Sequence, residues 1–398
     1  MQSAVLVRLS EKEATFFHES AVALLSTAFP NNWNLSGPQQ GHSWRAWETC
    51  SKVLPHVSWL VDLSKKHKTR PADPYPFAEV IFRTGAWVTV APMLRPSLTF
   101  FRYLWEREQP ILSRSFFEYG LSLGVDHGSL AYILAIRLLG HIALDLAQPT
   151  RALEAYTECL EARRKLVDAS KPTIANVLDS VACAHVELNN IPEAFAALGE
   201  SARIQQNEPP EMARTWFIYS MAHLRAGDAD KSLEALNKCW ELQNLTQDEI
   251  EESRYPKHSG DLVLLSRIEA AKGNKELALQ LVSKTISIRK DILGNKGPRV
   301  ADSMYIVAGM LRDEERVAVA AKMLREIVEM GVGMVEMKPQ VSRALWTLGR
   351  IEEGFGNTLE ADGLKAEAKK VRSEIEGRKD MDEDSDAGFA SIVPWLLI

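Results

Sequence analysis

The sequence predicts an all-α superhelical solenoid, built from stacked antiparallel helix pairs behind an N-terminal helical cap. One observation is the stretch Leu345-Trp346-Thr347-Leu348-Gly349-Arg350, followed by Gly356-Asn357 and Ala361. It reads as a helix with a small residue at Gly349, a turn at Gly356-Asn357, and a second helix with a small residue at Ala361. Gly and Asn tolerate positive φ, so they suit the turn. Larger side chains at either small position would hold the two backbones apart. A second observation is that the pattern recurs upstream. Equivalent positions fall at Ala78, Ile133, Ala175, Ala213, Ser259, Ala301 and Ser342, in steps of 55, 42, 38, 46, 42 and 41 residues.

Each recurrence is carried by particular residues. The first has Thr84-Gly85 as its small pair and Ser97 at the crossing. The second has Leu139-Gly140 and Ala152. The third has Val181-Ala182, Asn189-Asn190 and Ala194. The fourth has Tyr219-Ser220, Gly227-Asp228 and Ser232. The fifth has Leu265-Ser266, Gly273-Asn274 and Ala278. The sixth has Val307-Ala308, a charged turn over Asp313 to Arg316, and Ala320. The spacing resembles that of the tetratricopeptide repeat (TPR), whose plain form has about 34 residues. The longer steps imply longer second helices and links. The connector Leu293-Gly294-Asn295-Lys296-Gly297-Pro298-Arg299-Val300-Ala301, with Leu123-Gly124-Val125-Asp126-His127 in a similar place, resembles that of kinesin-light-chain-type repeats. The resemblance covers roughly residues 78 to 375.

Three regions are expected: a helical cap over 1–70, about seven helix pairs over 71–376, and an acidic, disordered tail with an apolar terminus over 377–398. In the cap, Ser10 and Glu13 form a capping-box pattern ahead of a helix that places Phe17, Ala21, Leu24, Leu25 and Ala28 on one face. A second helix over about Ser43 to Lys66 ends in Lys65-Lys66-His67-Lys68, which suits a helix C-terminus. Ala28-Phe29-Pro30, Trp44 to Cys50 and Leu54-Pro55-His56-Val57 resemble the helices between nucleotide-binding module and repeats in fungal NLR-like receptors. That resemblance implies a sensing role. No GxxxxGK[ST] occurs, so the phosphate-cradling loop of that family is missing. The expectation is a sensor array without its switch, or a gene model beginning midway. The alternative is a kinesin-light-chain-like cargo or scaffold adaptor.

Composition narrows the chemistry. The chain has 398 residues, 46% apolar and 25% charged, with a net charge of −6. That is a globular balance without the basic field of a nucleic-acid binder. No apolar run is long enough to span a bilayer, and no signal peptide is evident, so a cytoplasmic protein is expected. Cys50, Cys159, Cys183 and Cys239 form no CxxC pair and read as reduced, buried thiols. No HExxH or HxxxH occurs among the nine histidines, and no converging acid pair or glycine-rich phosphate loop stands out. No catalytic residue, cofactor or metal is expected.

The remaining chemistry lies in the groove. In repeats of this type, positions 2, 5, 9 and 12 of the first helices face inward. That register selects Arg137, His141, Asn176, Arg214, Phe217, Arg267, Tyr305, Arg343, Trp346 and Arg350, with Asp179, Met221, Asp302 and Arg312 completing the face. Arg offers a planar donor fork for carboxylates, and exposed aromatics anchor apolar side chains. The set suits a protein or peptide partner that is acidic with an aromatic anchor, or else is a solvated inner face with incidental arginines. The chaperone-type carboxylate clamp is mostly missing, since its positions hold Arg137, His141, Ser180, Arg214 and Ile218. The tail runs from Asp380, Asp382, Glu383, Asp384 and Asp386 into Phe389 and Trp395. It is either a groove ligand in cis or a cap on the last repeat.

Overall fold

The computed structural model describes residues 10–28, 47–67, 71, 73–85, 107–166, 171–206, 212–253, 255–313, 315–375 and 384–397. Among them every regular element is helical. The chain divides into two compact units: Met1–Ile142 with Glu154–Ile174, and Ala143–Leu153 with Ala175–Ile398.

The first unit holds α1 (Glu11–Ala28), α2 (Trp47–His67), α3 (Tyr75–Gly85) and α4 (Pro110–Ser122), with most of α5 (Leu130–Asp145) and α6 (Pro149–Lys165). Ser10 and Glu13 form the expected box: Glu13 Oε2 accepts the Ser10 amide at 2.9 Å, and Ser10 Oγ accepts the Glu13 amide at 3.4 Å. The buried stripe of α1 differs from the expected one. Phe17 and Leu24 are exposed (55% and 72%), whereas His18 and Val22 are buried. The reason is polar: His18 Nε2 lies 2.9 Å from Ser64 Oγ in α2, and its ring meets Phe77 edge-on. Val22, Val57, Leu60, Val61, Phe77, Val80, Ile81 and Phe116 share one core. An expected boundary at residue 70 therefore falls inside this unit. α3 meets α4 where a Cβ on Gly120 would sit 2.5 Å from the Phe82 ring. Ser97, the expected crossing residue of the first repeat, lies outside the described residues, as do Phe29, Pro30 and Trp44. In α5, Gly140 faces the Tyr156 ring so closely that a Cβ there would overlap it.

The second unit is the clearer solenoid. Its first helices are α7 (Lys171–Glu187), α9 (Ala213–Arg225), α12 (His258–Ala271), α14 (Pro298–Asp313) and α16 (Lys338–Gly354). Their partners are α8 (Ile191–Gln205), α10 (Ala229–Glu241), α13 (Lys275–Leu293), α15 (Val317–Met330) and α17 (Thr358–Ser373). A short α11 (Gln247–Glu252) fills the longest link. The crossing residues are small and buried: Ala182 and Ala194, Ser220 and Ser232, Ser266 and Ala278, Ala308 and Ala320, Gly349 and Ala361. A Cβ on Gly349 would sit 2.8 Å from Lys365 Cγ and 3.1 Å from the Ala361 carbonyl oxygen. Serine at a crossing adds a bond between helices. Ser232 Oγ donates to the Ser220 carbonyl at 2.7 Å, and Ser266 Oγ to the Ala278 carbonyl at 2.8 Å.

The turns are built alike. Positive φ falls at Asn189, Gly227, Gly273, Glu315 and Gly356. The next amide then reaches back to the first helix: Asn190 to His185, Asp228 to His223, Asn274 to Glu269, Arg316 to Leu311 and Asn357 to Glu352, all at 2.8–2.9 Å. This is the 6→1 bond of a Schellman end. Two asparagines add a side-chain bond, Asn274 to Glu269 and Asn357 to Glu352. A local backbone requirement thus fixes each turn, while repeat length varies elsewhere.

Adjacent pairs are also tied by buried polar groups. Asp179 accepts from Ser201 and Thr215. Arg289 donates to the Arg299 carbonyl and to Ser303. One buried acid lacks such partners. Neither oxygen of Asp261, in the first turn of α12, has a hydrogen bond of normal geometry. Burial pushes its carboxyl up to about 6, against the pull of Lys257 and the Trp240 indole. A folded-state value above the unfolded one (about 3.9) means that this group favours folding below about pH 4 and loses that contribution as pH rises through 6. Asp261→Asn should therefore stabilise the chain at pH 7.5 by up to about 3 kcal/mol and not at pH 4. Thermal melts at both values check it; an equal shift at both would show that the carboxyl is not the cause.

Candidate functional site: the inner face and the C-terminal segment

The first helices of the second unit present one continuous face, and residues 384–397 lie on it. The sequence suggested a disordered tail. From Asp384 onward the segment instead forms α18 (Asp386–Ala390), capped by Ser385 Oγ accepting the Gly388 amide at 3.0 Å, and a 3-10 turn over Trp395–Leu397. Its acidic residues find cations, which is why it orders. Asp384 pairs with Lys369 at 2.6 Å and Arg372 at 2.9 Å.

Two aromatic seats hold it. Phe389 is buried, stacks on Trp346 at 4.3 Å between centroids, and carries the Arg372 guanidinium over its ring at 4.2 Å. Trp346 Nε1 donates to Asp386 at 2.7 Å. Ile392 and Val393 extend this cluster against Leu345 and Ala368. Farther on, the Trp395 ring lies between Arg225 at 4.6 Å and Arg267 at 4.4 Å. Its backbone is read as well: the Trp395 amide donates to Glu187 Oε2 at 2.7 Å, and Arg267 Nη1 donates to the Trp395 carbonyl at 2.6 Å. These partners come from the last turns of α7 and α9 and the middle of α12.

Burial sets the electrostatics of this seat. It raises the Glu187 carboxyl, against the amides of Trp395 and Leu396 and the charges of Arg225 and Arg267. It lowers Arg267 to about 10, helped by the like charge of Arg225 and opposed by Glu187. Two guanidiniums over one indole repel each other, and the single carboxylate beneath them offsets part of that. Cation–π contact strengthens as the site dries, to about 2 kcal/mol or more.

The residues expected to line a groove divide into three groups. Arg267, Trp346 and Arg350 meet the C-terminal segment; Arg350 contacts Glu353 at 2.7 Å and Asp386 at 3.6 Å. Arg343 does not face a groove. It is a buried partner of Asp302 at 3.0 Å, both 1% exposed, with its guanidinium 3.8 Å above the Tyr305 ring. Tyr305 in turn bonds Thr347 at 2.9 Å. Arg214 is spent on the Asn176 carbonyl and Ser180, and Phe217 packs into the core. In the first unit, Arg137 is buried and His141 Nδ1 bonds the Tyr156 hydroxyl at 2.6 Å. Sequence reasoning missed Glu187, Arg225 and Arg372. The first two share one place, five residues past the small crossing residues Ala182 and Ser220, one step beyond the positions taken to face inward.

Among the described residues no group of His, Cys, Asp and Glu is placed to hold a metal ion, and no helix is long and apolar enough to cross a membrane. The four cysteines are unpaired with one another; burial pushes the Cys159 thiol up to about 11 and those of Cys183 and Cys239 to about 12, away from nucleophilic use.

Two tetratricopeptide-repeat family models match the chain, over residues 182–238 and 138–166. No curated protein matches it by sequence. Among solved structures it is similar to a Rap protein complexed with Competence and Sporulation Factor, with 10% identity, a TM-score of 0.53, and 94% of this chain and 96% of that chain covered. It is also similar to the Rap conjugation gene regulator of plasmid pLS20 in complex with the Phr* peptide, at 11% identity, TM-score 0.50, covering 90% and 98%. A putative kinesin light chain of Podosopora anserina with TPR-like repeats aligns at 18% identity and TM-score 0.41, covering 52% and 98%. The fold is thus a TPR solenoid. The expected resemblance to fungal NLR-like receptors is not shown by these matches.

Removing one side of the Asp302–Arg343 pair leaves a buried charge, which costs about 3–5 kcal/mol. Arg343→Met should lower the urea midpoint accordingly, and adding Asp302→Leu should recover much of the loss. Were Arg343 a groove residue, the single change would leave stability within about 0.5 kcal/mol.

Proposed function

We propose that the chain is a non-enzymatic protein-interaction scaffold that holds a partner segment along the first-helix face of its second unit, and that its own C-terminal segment occupies that face in cis. The observation that carries this reading is the Trp395 seat. Arg225 and Arg267 grip the side chain, while Glu187 and Arg267 grip the flanking backbone amide and carbonyl. Gripping both main-chain groups and an aromatic anchor is a way to bind a peptide, and it differs from the contacts of a core residue.

The partner is accordingly a peptide or protein surface with acidic residues and an aromatic anchor, which the segment's Asp386, Phe389 and Trp395 imitate. The two Rap structures are complexes with a peptide and with a factor named in their descriptions; they support the reading by shared fold only. A cargo-adaptor role of kinesin-light-chain type would use the same face, and a sensor role of NLR type would add a nucleotide-binding neighbour. Tethering gives the segment a high effective concentration, so even weak contacts keep the face occupied.

The test uses a labelled peptide with the sequence of residues 384–398. It should bind the full chain carrying Trp395→Ala, whose helicity is checked first, and bind the unaltered chain more weakly because the seat is filled. Trp395→Ala in the peptide should weaken binding at least about tenfold, as for a buried aromatic anchor. A peptide that binds neither chain, or binds equally with and without its tryptophan, would overturn the proposal.

A further inference from the structure

One cleft on this face is left unfilled by the C-terminal segment. A pocket of about 390 Å³ is lined by Arg312, Val317, Arg350, Ile351, Gly354, Phe355 and Asp386. Val317, Ile351 and Phe355 give it apolar walls, and Arg312 and Arg350 bring two half-exposed guanidiniums. Their acidic partners are poor or shared. Among the described residues, the one acid that Arg312 meets is its neighbour Asp313, at 3.9 Å, too far for a hydrogen bond. Arg350 shares Glu353 with Lys365.

Asp386 reaches this pocket but does not satisfy it. Its Oδ1 is taken by the Trp346 indole at 2.7 Å and stands 3.6 Å from Arg350 Nε. A carboxylate on a stem one methylene longer would reach farther into the pocket that Arg312 also lines. Gly354 keeps that space: a Cβ there would meet nothing within 4 Å.

We propose that the Arg312–Arg350 pocket is the subsite for a glutamate side chain of the partner segment, at the place where the C-terminal segment carries Asp386. This rests on the reading that the face binds a segment in trans. The partner then has a glutamate three residues before its first aromatic anchor, in the register of Asp386 and Phe389. The physical need is competitive. A free partner faces a tethered occupant and prevails only through a contact that the occupant lacks. Two guanidiniums with an incomplete set of acids supply that contact, and their half-exposure keeps it modest.

The experiment compares the peptide of residues 384–398 with its Asp386→Glu form, by fluorescence anisotropy on the full chain carrying Trp395→Ala. The Asp386→Glu peptide should bind about three- to fivefold tighter, with the gain shrinking in high salt. Adding Arg312→Gln to the chain should abolish the gain. Adding Gly354→Leu, which adds bulk to the pocket lining and leaves both arginines in the chain, should do the same. Equal or weaker binding of the Asp386→Glu peptide, while the native peptide binds, would overturn the subsite and leave the peptide-binding reading intact. A gain that survives both chain variants would also overturn it. Binding of neither peptide would overturn the reading beneath it.

Discussion

The close approach of two helix backbones is the constraint from which the second unit follows. It demands a small residue on each side of every crossing, and Ala, Ser or Gly meets it five times in succession. Once the paired helices are that near, the turn between them has little freedom, and a positive-φ residue with a 6→1 bond closes each one. First helices then line up on one face and second helices on the other. The polar contacts of the inner face are only possible because that alignment repeats.

These local rules explain why the fold was legible. Gly349, Gly356, Asn357 and Ala361 state a crossing and a turn within thirteen residues, and no distant contact can change what a backbone tolerates there. The inner face was less legible for the opposite reason. Arg267 and Arg343 are the same residue type on equivalent helices. One closes on Trp395, 128 residues away, and the other on Asp302, 41 residues away. Whether an arginine is open to a ligand depends on partners that spacing alone does not reveal. Glu187 and Arg225 were missed because the inward positions were cut off one residue before the end of the helix. The buried face of α1 was misplaced because His18, polar by type, finds Ser64 and becomes core.

The C-terminal segment combines two expectations that had been set against each other. Phe389, Ile392 and Val393 cover the last repeat, where a solenoid must hide its exposed flank. Trp395 continues past that flank to the middle of the array. The two kinds of contact are made by successive stretches of one segment, and Asp384, just before them, pairs with Lys369 and Arg372 on the preceding helix.

The position of Trp395 has a mechanical side. Arg225 ends one repeat's first helix and Arg267 lies in the next, so the indole bridges the junction with the longest step in the second unit. The same junction contains Asp261, the buried acid whose oxygens make no hydrogen bond of normal geometry. In a quasi-one-dimensional stack, cohesion is a chain of nearest-neighbour links, and the weakest link decides where the stack divides. Here the junction between α10 and α12 gains an added link from the C-terminal segment. Whatever lifts that added link turns one cooperative block into two shorter ones, so occupancy of the face would register as a change in how far a disturbance travels along the repeats.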